Sequence, residues 1–257
     1  MKILVIGATG FVGKMLLPLL AEKGHEIIVL TRDINSAQVR VPVACKIIEW
    51  DSAKPLSHIE DNIDIVINLC GENVASGRWT SKRKQAIYNS RILATRNLIH
   101  YFRKTSHPIK AWISASAIGI YENSIVSDES APSGQGFLAK ICKDWEEESF
   151  KARDLNIRTI AFRIGIVLGF DGGAMEKVLP VFKLGLGGNI SSGNQWMSWI
   201  HVRDLAGLIV EAIDNPSFEG PVNAVSPNPV TNKEFTSILA GILKRPALFP
   251  VPGWILK

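Results

Sequence analysis

At 257 residues, with 46% hydrophobic and 21% charged side chains, the chain can hold one large α/β domain or a domain with a small lobe, and its balance excludes disorder. No apolar run approaches the roughly 20 residues that span a bilayer, and a strand pattern begins at Lys2, so neither a membrane anchor nor a signal peptide is expected. The net charge of +5 comes from scattered Lys and Arg mixed with acids, with Lys82-Arg83-Lys84 on a solvated helix face, so nucleic acid is not an expected partner.

The first element is the apolar run Lys2-Ile-Leu-Val-Ile6, read as a buried strand. It feeds Gly7-Ala-Thr-Gly10-Phe-Val-Gly13, which opens an amphipathic helix through Phe11, Val12, Met15, Leu16, Leu19 and Leu20. This order of strand, glycine turn and helix builds a pyrophosphate site. Gly7 allows the tight turn, Gly10 lets the backbone approach the phosphates, and Gly13 lets helix and strand pack closely. Thr9, Phe11 and Val12 complete the turn, and the helix N-terminus offers free N–H groups to the anion.

Strand patterns follow at residues 26–30, 46–50 and 63–69, then a long helical pattern at 81–104. A fifth strand is expected at 111–115, a helix at 137–153 and a sixth strand at 158–163. Strands rich in Val and Ile, separated by helices, predict a Rossmann-like, doubly wound parallel sheet covered on both faces. Ligands in such folds bind at the carboxyl ends of the strands. After Gly165 the pattern changes to glycine-rich stretches at 169–173 and 185–193, with Trp196 and Trp199 around a short polar stretch. A helix is expected at 204–213 with Asp204 as its cap, a short strand at 222–224 and a helix at 231–244, where Thr231 and Glu234 form a capping box. The expected division is a dinucleotide-binding domain over 1–165 and a smaller substrate lobe over 166–257, interleaved with it.

The second strand ends Val29-Leu30-Thr31-Arg32. A site specific for NAD usually carries an acid here, for the ribose 2′-hydroxyl; the guanidinium of Arg32 instead suits a 2′-phosphate, with a hydroxyl contact from Thr31. NADP(H) is therefore expected in preference to NAD(H). Asp33 follows at once and is suited either to the NAD-type role or to capping a turn, and Arg32 alternatively reads as a solvated surface arginine. Cys45, Cys70 and Cys142 lie far apart without metal-ligand spacing, so reduced thiols in a cytoplasmic protein are expected, and no metal.

Three blocks of sequence carry a resemblance to a known family. They are Gly7–Gly13; Leu69-Cys-Gly-Glu-Asn73 with Gly77-Arg-Trp79 and Asn89-Ser-Arg91; and Arg163-Ile-Gly-Ile-Val-Leu-Gly169 through Leu184-Gly-Leu-Gly-Gly188 to Trp199-Ile-His-Val-Arg-Asp-Leu205. The chain resembles the extended, epimerase-like short-chain dehydrogenase/reductases, in the atypical subgroup labelled sugar-nucleotide epimerase or cell-division-inhibitor-like. The resemblance implies that Leu69, Cys70 and Gly71 line the adenosine and ribose region, that Trp50 and Asp51 lie near the adenine, and that Arg91 is near the cofactor. It also puts Ser114 to Ser116 and Val167 at the nicotinamide end, although apolar residues at strand ends such as Leu69, Cys70 and Val167 are more often plain core. Members usually continue some tens of residues past a segment like Pro252-Gly-Trp-Ile-Leu256, so the small lobe is expected to be truncated.

The superfamily reaction needs a tyrosine beside the nicotinamide, a lysine four residues later, and a serine or threonine that polarises the substrate oxygen. Ser114 and Ser116 supply the serine. Lys140 sits where the catalytic helix should start, but four residues before it is Gly136, which cannot transfer a proton. Lys140 alternatively reads as a solvated helix residue. Tyr121 is the nearest tyrosine, available either for proton transfer or for packing, and Glu72 is a candidate base. Arg78 and Trp79 are candidates for a substrate clamp, and Gln195, Trp196, Trp199 and His201 for shaping the substrate pocket, with His201 more suited to a structural hydrogen bond. Two functions follow: an NADP(H)-dependent oxidoreductase or epimerase-like enzyme on a small polar substrate, or a non-catalytic NADP(H)-binding regulator linked to cell division. The chain is expected to be a monomer or a homodimer.

Overall fold

A computed structural model describes residues 1–57, 59, 62–105, 107–122 and 126–250. Strands β1 (Lys2–Ile6), β2 (Glu26–Thr31), β3 (Lys46–Glu49), β4 (Ile65–Asn68), β5 (Ala111–Ala117) and β6 (Arg158–Ile164) alternate with helices α1 (Phe11–Glu22), α2 (Ile34–Arg40), α3 (Ser81–Phe102) and α4 (Phe137–Phe150). Then come β7 (Ile166–Leu168), α5 (Met175–Lys183), β8 (Trp196–Met197), β9 (Trp199–His201), α6 (Val202–Asp214), β10 (Gly220–Ala224), β11 (Val230–Thr231) and α7 (Asn232–Leu243).

The main sheet has seven strands in the order β10-β6-β5-β4-β1-β2-β3. Its pairs are parallel, with Ile6 opposite Leu30 and Asn68, Thr31 opposite Glu49, and Asn68 opposite Ser114. The order reverses between β1 and β4, which opens a crevice at their carboxyl ends. The run of apolar residues explains why the sheet is parallel and central. Every side chain of Ile3–Ile6 and Ile27–Leu30 is at most 4% exposed, so helices must cover both faces. On one face Leu4, Ile6, Ile28 and Leu30 pack with Leu98, Phe102 and Trp112. Each such side chain contributes about 1.5–3 kcal/mol by leaving water. A second cluster, Ile87, Ile92, Ile141 and Trp145, joins α3 to α4. The fold is the Rossmann-like α/β class that the strand and helix patterns predict.

The chain divides into two compact units, Met1–Arg163 with Arg203–Asn223, and Ile164–Val202 with Ala224–Lys257. Helix α6 and most of β10 thus belong with the first unit although they follow residue 165. Within the second unit β7 pairs with β9 in parallel, and β8 with β11 antiparallel.

Differences from expectation are local. Helix α6 begins at Val202, so Asp204 lies in its first turn rather than at the cap, where its charge still complements the helix dipole. Helices α2 and α5 were not predicted: α2 has seven residues, and α5 has nine with Pro180 inside, so neither shows a full apolar period. Thr231 caps α7 with Glu234 in the expected reciprocal box. The segment Pro252–Leu256 lies outside the described residues.

Candidate functional site

At the carboxyl ends of β1, β2 and β4 a cleft of about 200 Å³ is lined by Gly7, Thr9, Gly10, Thr31, Arg32, Trp50, Leu69, Cys70, Gly71 and Glu72, with Ile6, Leu30, Ser52 and Ser90. The glycine turn is built for this place. Gly7 has φ +82°, and a Cβ there would lie 2.6 Å from the Leu69 carbonyl oxygen. A Cβ at Gly13 would lie 2.5 Å from the Ala8 oxygen, so α1 could not start so close to β1. Phe11, Val12 and Gly13 form the first turn of α1. Its N-cap, Gly10, offers no side-chain cap, and that turn holds no acid, so its N–H groups remain for an anion. These features fit the pyrophosphate of a dinucleotide.

The Asp33 carboxylate caps α2 by accepting from the Ser36 N–H at 2.9 Å. The Thr31 hydroxyl accepts from the Asp33 N–H at 3.3 Å. The Arg32 side chain is 73% exposed at the cleft. Trp50 walls the cleft while its Nε1 donates to the Lys54 carbonyl, 3.0 Å away. Asp51 does not line the cleft; its carboxylate accepts from the Ala53 N–H at 3.0 Å and orders the turn.

The segment after β4 is fastened to α3. Arg91 donates to the Glu72 carbonyl at 3.1 Å, and its guanidinium lies so near Gly71 that a Cβ there would be 2.8 Å from Cζ. Burial pushes the Arg91 pKa down, and its charge faces the Trp145 ring at 5.3 Å. Arg91 therefore shapes the cleft from behind. The Glu72 N–H donates to the Ser90 hydroxyl at 2.9 Å, and the Glu72 carboxylate pairs with Arg83 at 2.8 Å. Arg83 also donates to the Asn73 carbonyl. The Cys70 thiol donates to the Ser90 carbonyl at 3.4 Å, and burial pushes its pKa up to about 12, so it stays protonated and inert.

At the carboxyl ends of β5 and β6 lies a buried polar cluster. The Ser116 hydroxyl donates to Glu146 at 2.6 Å, and Arg163 donates to both oxygens of the same carboxylate, at 2.9 and 2.8 Å. Arg163 also donates to the Tyr121 phenol oxygen at 2.7 Å, and that phenol donates to Asn223 at 2.7 Å. Burial works against the charge of Arg163, but hydrogen bonds from its guanidinium to Glu146 and Tyr121 outweigh it and raise its pKa. The Glu129 carbonyl accepts from Arg163 at 3.0 Å, and its carboxylate from the Asn223 N–H at 2.7 Å. Ser114 is 1% exposed, and its hydroxyl accepts from Ser149 at 3.1 Å. The polar hydrogens of Ser116 and Tyr121 are thus committed within the protein. Arg163, Glu146, Glu129 and Asn223 were not among the expected site residues. The available signal was the guanidinium of Arg163 directly after the apolar run Ile160-Ala-Phe162 of β6, which requires a buried partner.

The remaining expected residues are spread more widely. Gly136 caps α4 with φ +95°, a conformation that disfavours any side chain. Lys140 is exposed and pairs with Asp144 at 2.7 Å, which also accepts from Tyr88 at 2.8 Å. Trp79 packs edge-on against Phe137 at 5.5 Å and donates to the Val74 carbonyl at 2.9 Å, with Arg78 exposed beside it. In the second unit, Val167 is half-buried in β7, Gln195 donates to the Ile190 carbonyl at 2.9 Å, and Trp196 is 60% exposed on β8.

Comparison with known proteins agrees with this architecture. The chain is 38% identical over 268 residues to epimerase family protein SDR39U1 homolog, chloroplastic, of Arabidopsis thaliana, covering 100% of this chain and 75% of that protein. It is 37% identical over 262 residues to epimerase family protein YfhF of Bacillus subtilis (strain 168), covering 100% and 84%. Human epimerase family protein SDR39U1 (isoform 2), solved with NADPH, superposes with a TM-score of 0.86 at 34% identity, over 100% of this chain and 84% of that one. Residues 3–225 match the family described as the NAD dependent epimerase/dehydratase family. With the glycine turn, the strand order and this match in agreement, the chain belongs to that epimerase/dehydratase family.

Proposed function

We propose that this protein binds NADP(H), in preference to NAD(H), and acts as an oxidoreductase or epimerase-like enzyme of the extended short-chain dehydrogenase/reductase type on a small polar substrate. The observation that carries the reading is Arg32, exposed at the cleft that the glycine turn builds, while the neighbouring Asp33 is consumed as a helix cap. Its guanidinium suits the dianionic 2′-phosphate, and a 2′-hydroxyl site would call for an acid at the end of β2. The NADPH in the human relative supports the same choice. The phosphates would sit on the first turn of α1 and the adenosine between Arg32, Trp50 and Leu69. The cofactor supplies hydride chemistry when bound. On this reading the protein is cytoplasmic, with a small molecule rather than a nucleic acid or membrane as its partner.

The test is calorimetric titration of nucleotide-free protein with NADPH, NADP⁺, NADH and NAD⁺. The wild type should prefer the 2′-phosphorylated pair. Arg32→Ala should weaken NADPH by about 10- to 100-fold, the worth of a hydrogen bond to a charged group, and leave NADH nearly unchanged. Tighter binding of NADH than NADPH by the wild type would refute the preference.

One observation favours a second reading. With Gly136 in place of the tyrosine and the Ser116 and Tyr121 hydroxyls bonded internally, a cofactor-binding regulator without turnover fits the cluster. Such a protein works if the cofactor binds two conformations with different affinity. Substrate-dependent NADPH oxidation separates the two readings.

A further inference from the structure

Among the described residues that line the β1–β2–β4 cleft, two carry charge, and their signs are opposite: Arg32 and Glu72. They come from different elements, the end of β2 and the segment after β4, and meet at 4.0 Å between Nη2 and Oε2. The other Glu72 oxygen is held by Arg83 at 2.8 Å, and the Glu72 N–H and carbonyl are held by Ser90 and Arg91. Glu72 is therefore fixed in position, whereas Arg32 is 73% exposed. We infer that Glu72 is a cofactor-selectivity residue that works against Arg32, loosening the hold on a 2′-phosphate and favouring a free ribose 2′-hydroxyl.

The inference rests on the NADP(H) reading of the cleft. A phosphate monoester carries a charge of about −1.5 to −2 near neutral pH. The Glu72 carboxylate lies 4.0 Å from Arg32 Nη2, so a phosphate bound at that nitrogen faces it, and like charges at that range repel. A ribose hydroxyl, by contrast, is a donor that a carboxylate accepts. Glu72 thus supplies, from the opposite wall, the acid that NAD-type sites place at the end of β2, where this chain has Asp33 capping a helix. Arg83 tempers the effect by neutralising part of the Glu72 charge.

Two substitutions move selectivity in opposite directions. Glu72→Gln keeps an oxygen for Arg83 and removes the charge, so it should tighten NADPH and weaken NADH, raising the ratio of their affinities about two- to fivefold, on the scale of one partly exposed charge interaction. Arg83→Gln leaves the Glu72 charge less compensated and should lower the same ratio. A purely structural role for this segment would change both nucleotides by one common factor and give both variants the same sign. The experiment is calorimetric titration of wild type, Glu72→Gln and Arg83→Gln with NADPH and NADH, with an unfolding curve for each variant. Opposite shifts of the ratio support the inference. An unchanged ratio, or shifts of the same sign, in variants that still bind NADPH overturns it while leaving the cofactor reading intact. Failure of the wild type to bind either nucleotide would overturn both.

Discussion

The cleft at β1, β2 and β4 and the cluster at β5 and β6 sit at the same edge of one sheet, yet they are built oppositely. In the cleft the backbone leaves room: glycines at 7 and 10, an uncapped helix start and an arginine that is 73% exposed. In the cluster every strong polar group is used: Ser116, Glu146, Arg163, Tyr121 and Asn223 bond to one another, and the side chains of the ion pair are 8% and 6% exposed. The difference teaches that the end suited to a nucleotide is preformed. The end at β5 and β6 is instead a satisfied structural network. Proton transfer from Tyr121 or Ser116 requires that network to open.

The largest expected effect comes from the cluster. Arg163→Ala leaves the Glu146 carboxylate buried without its partner and should cost about 3–5 kcal/mol of stability in urea unfolding. Variant protein that remains folded should still bind NADPH within about threefold of wild type, since Arg163 does not line the cleft. A loss of binding as large as the loss of stability would show that the two regions are one.

Gly7→Ala should do the reverse. Its positive φ and the nearby Leu69 carbonyl make a Cβ cost about 1–3 kcal/mol. Nucleotide binding should fall below detection in calorimetry even where the fold survives, and retained binding would remove the glycine turn from the site. The smallest effect belongs to Lys140→Ala. Its exposed pair with Asp144 marks a solvated helix face, so neither the unfolding midpoint nor the NADPH affinity should move. A clear loss of cofactor affinity would give Lys140 the ribose-binding role that its position in the superfamily pattern suggests.

The sheet and the glycine turn were legible because their signals are local. Apolar β-branched runs such as Lys2–Ile6 and glycines at fixed spacing report strands and a tight turn without knowledge of their partners. The Thr231 box was legible for the same reason. The cluster was not, because its members lie up to 102 residues apart in sequence, as in the Tyr121–Asn223 hydrogen bond, and no spacing rule joins them. Glu72 was legible as a functional candidate, but its neighbours were not. Its carboxylate pairs with Arg83 at 2.8 Å and lies 4.0 Å from Arg32 at the cleft, so it does not stand free of partners. Short helices also escaped, since seven residues of α2 show no apolar period and only the Asp33 cap announces them.

The most direct test of the central claim uses a fragment that carries only the groups the cleft is built to hold. Adenosine 2′,5′-bisphosphate should displace NADPH from the wild type in a fluorescence competition, and Arg32→Ala should weaken that displacement. If NADPH binds but the bisphosphate fails to compete at millimolar concentration, the nucleotide is held elsewhere, and the β1–β2–β4 cleft is not the cofactor site.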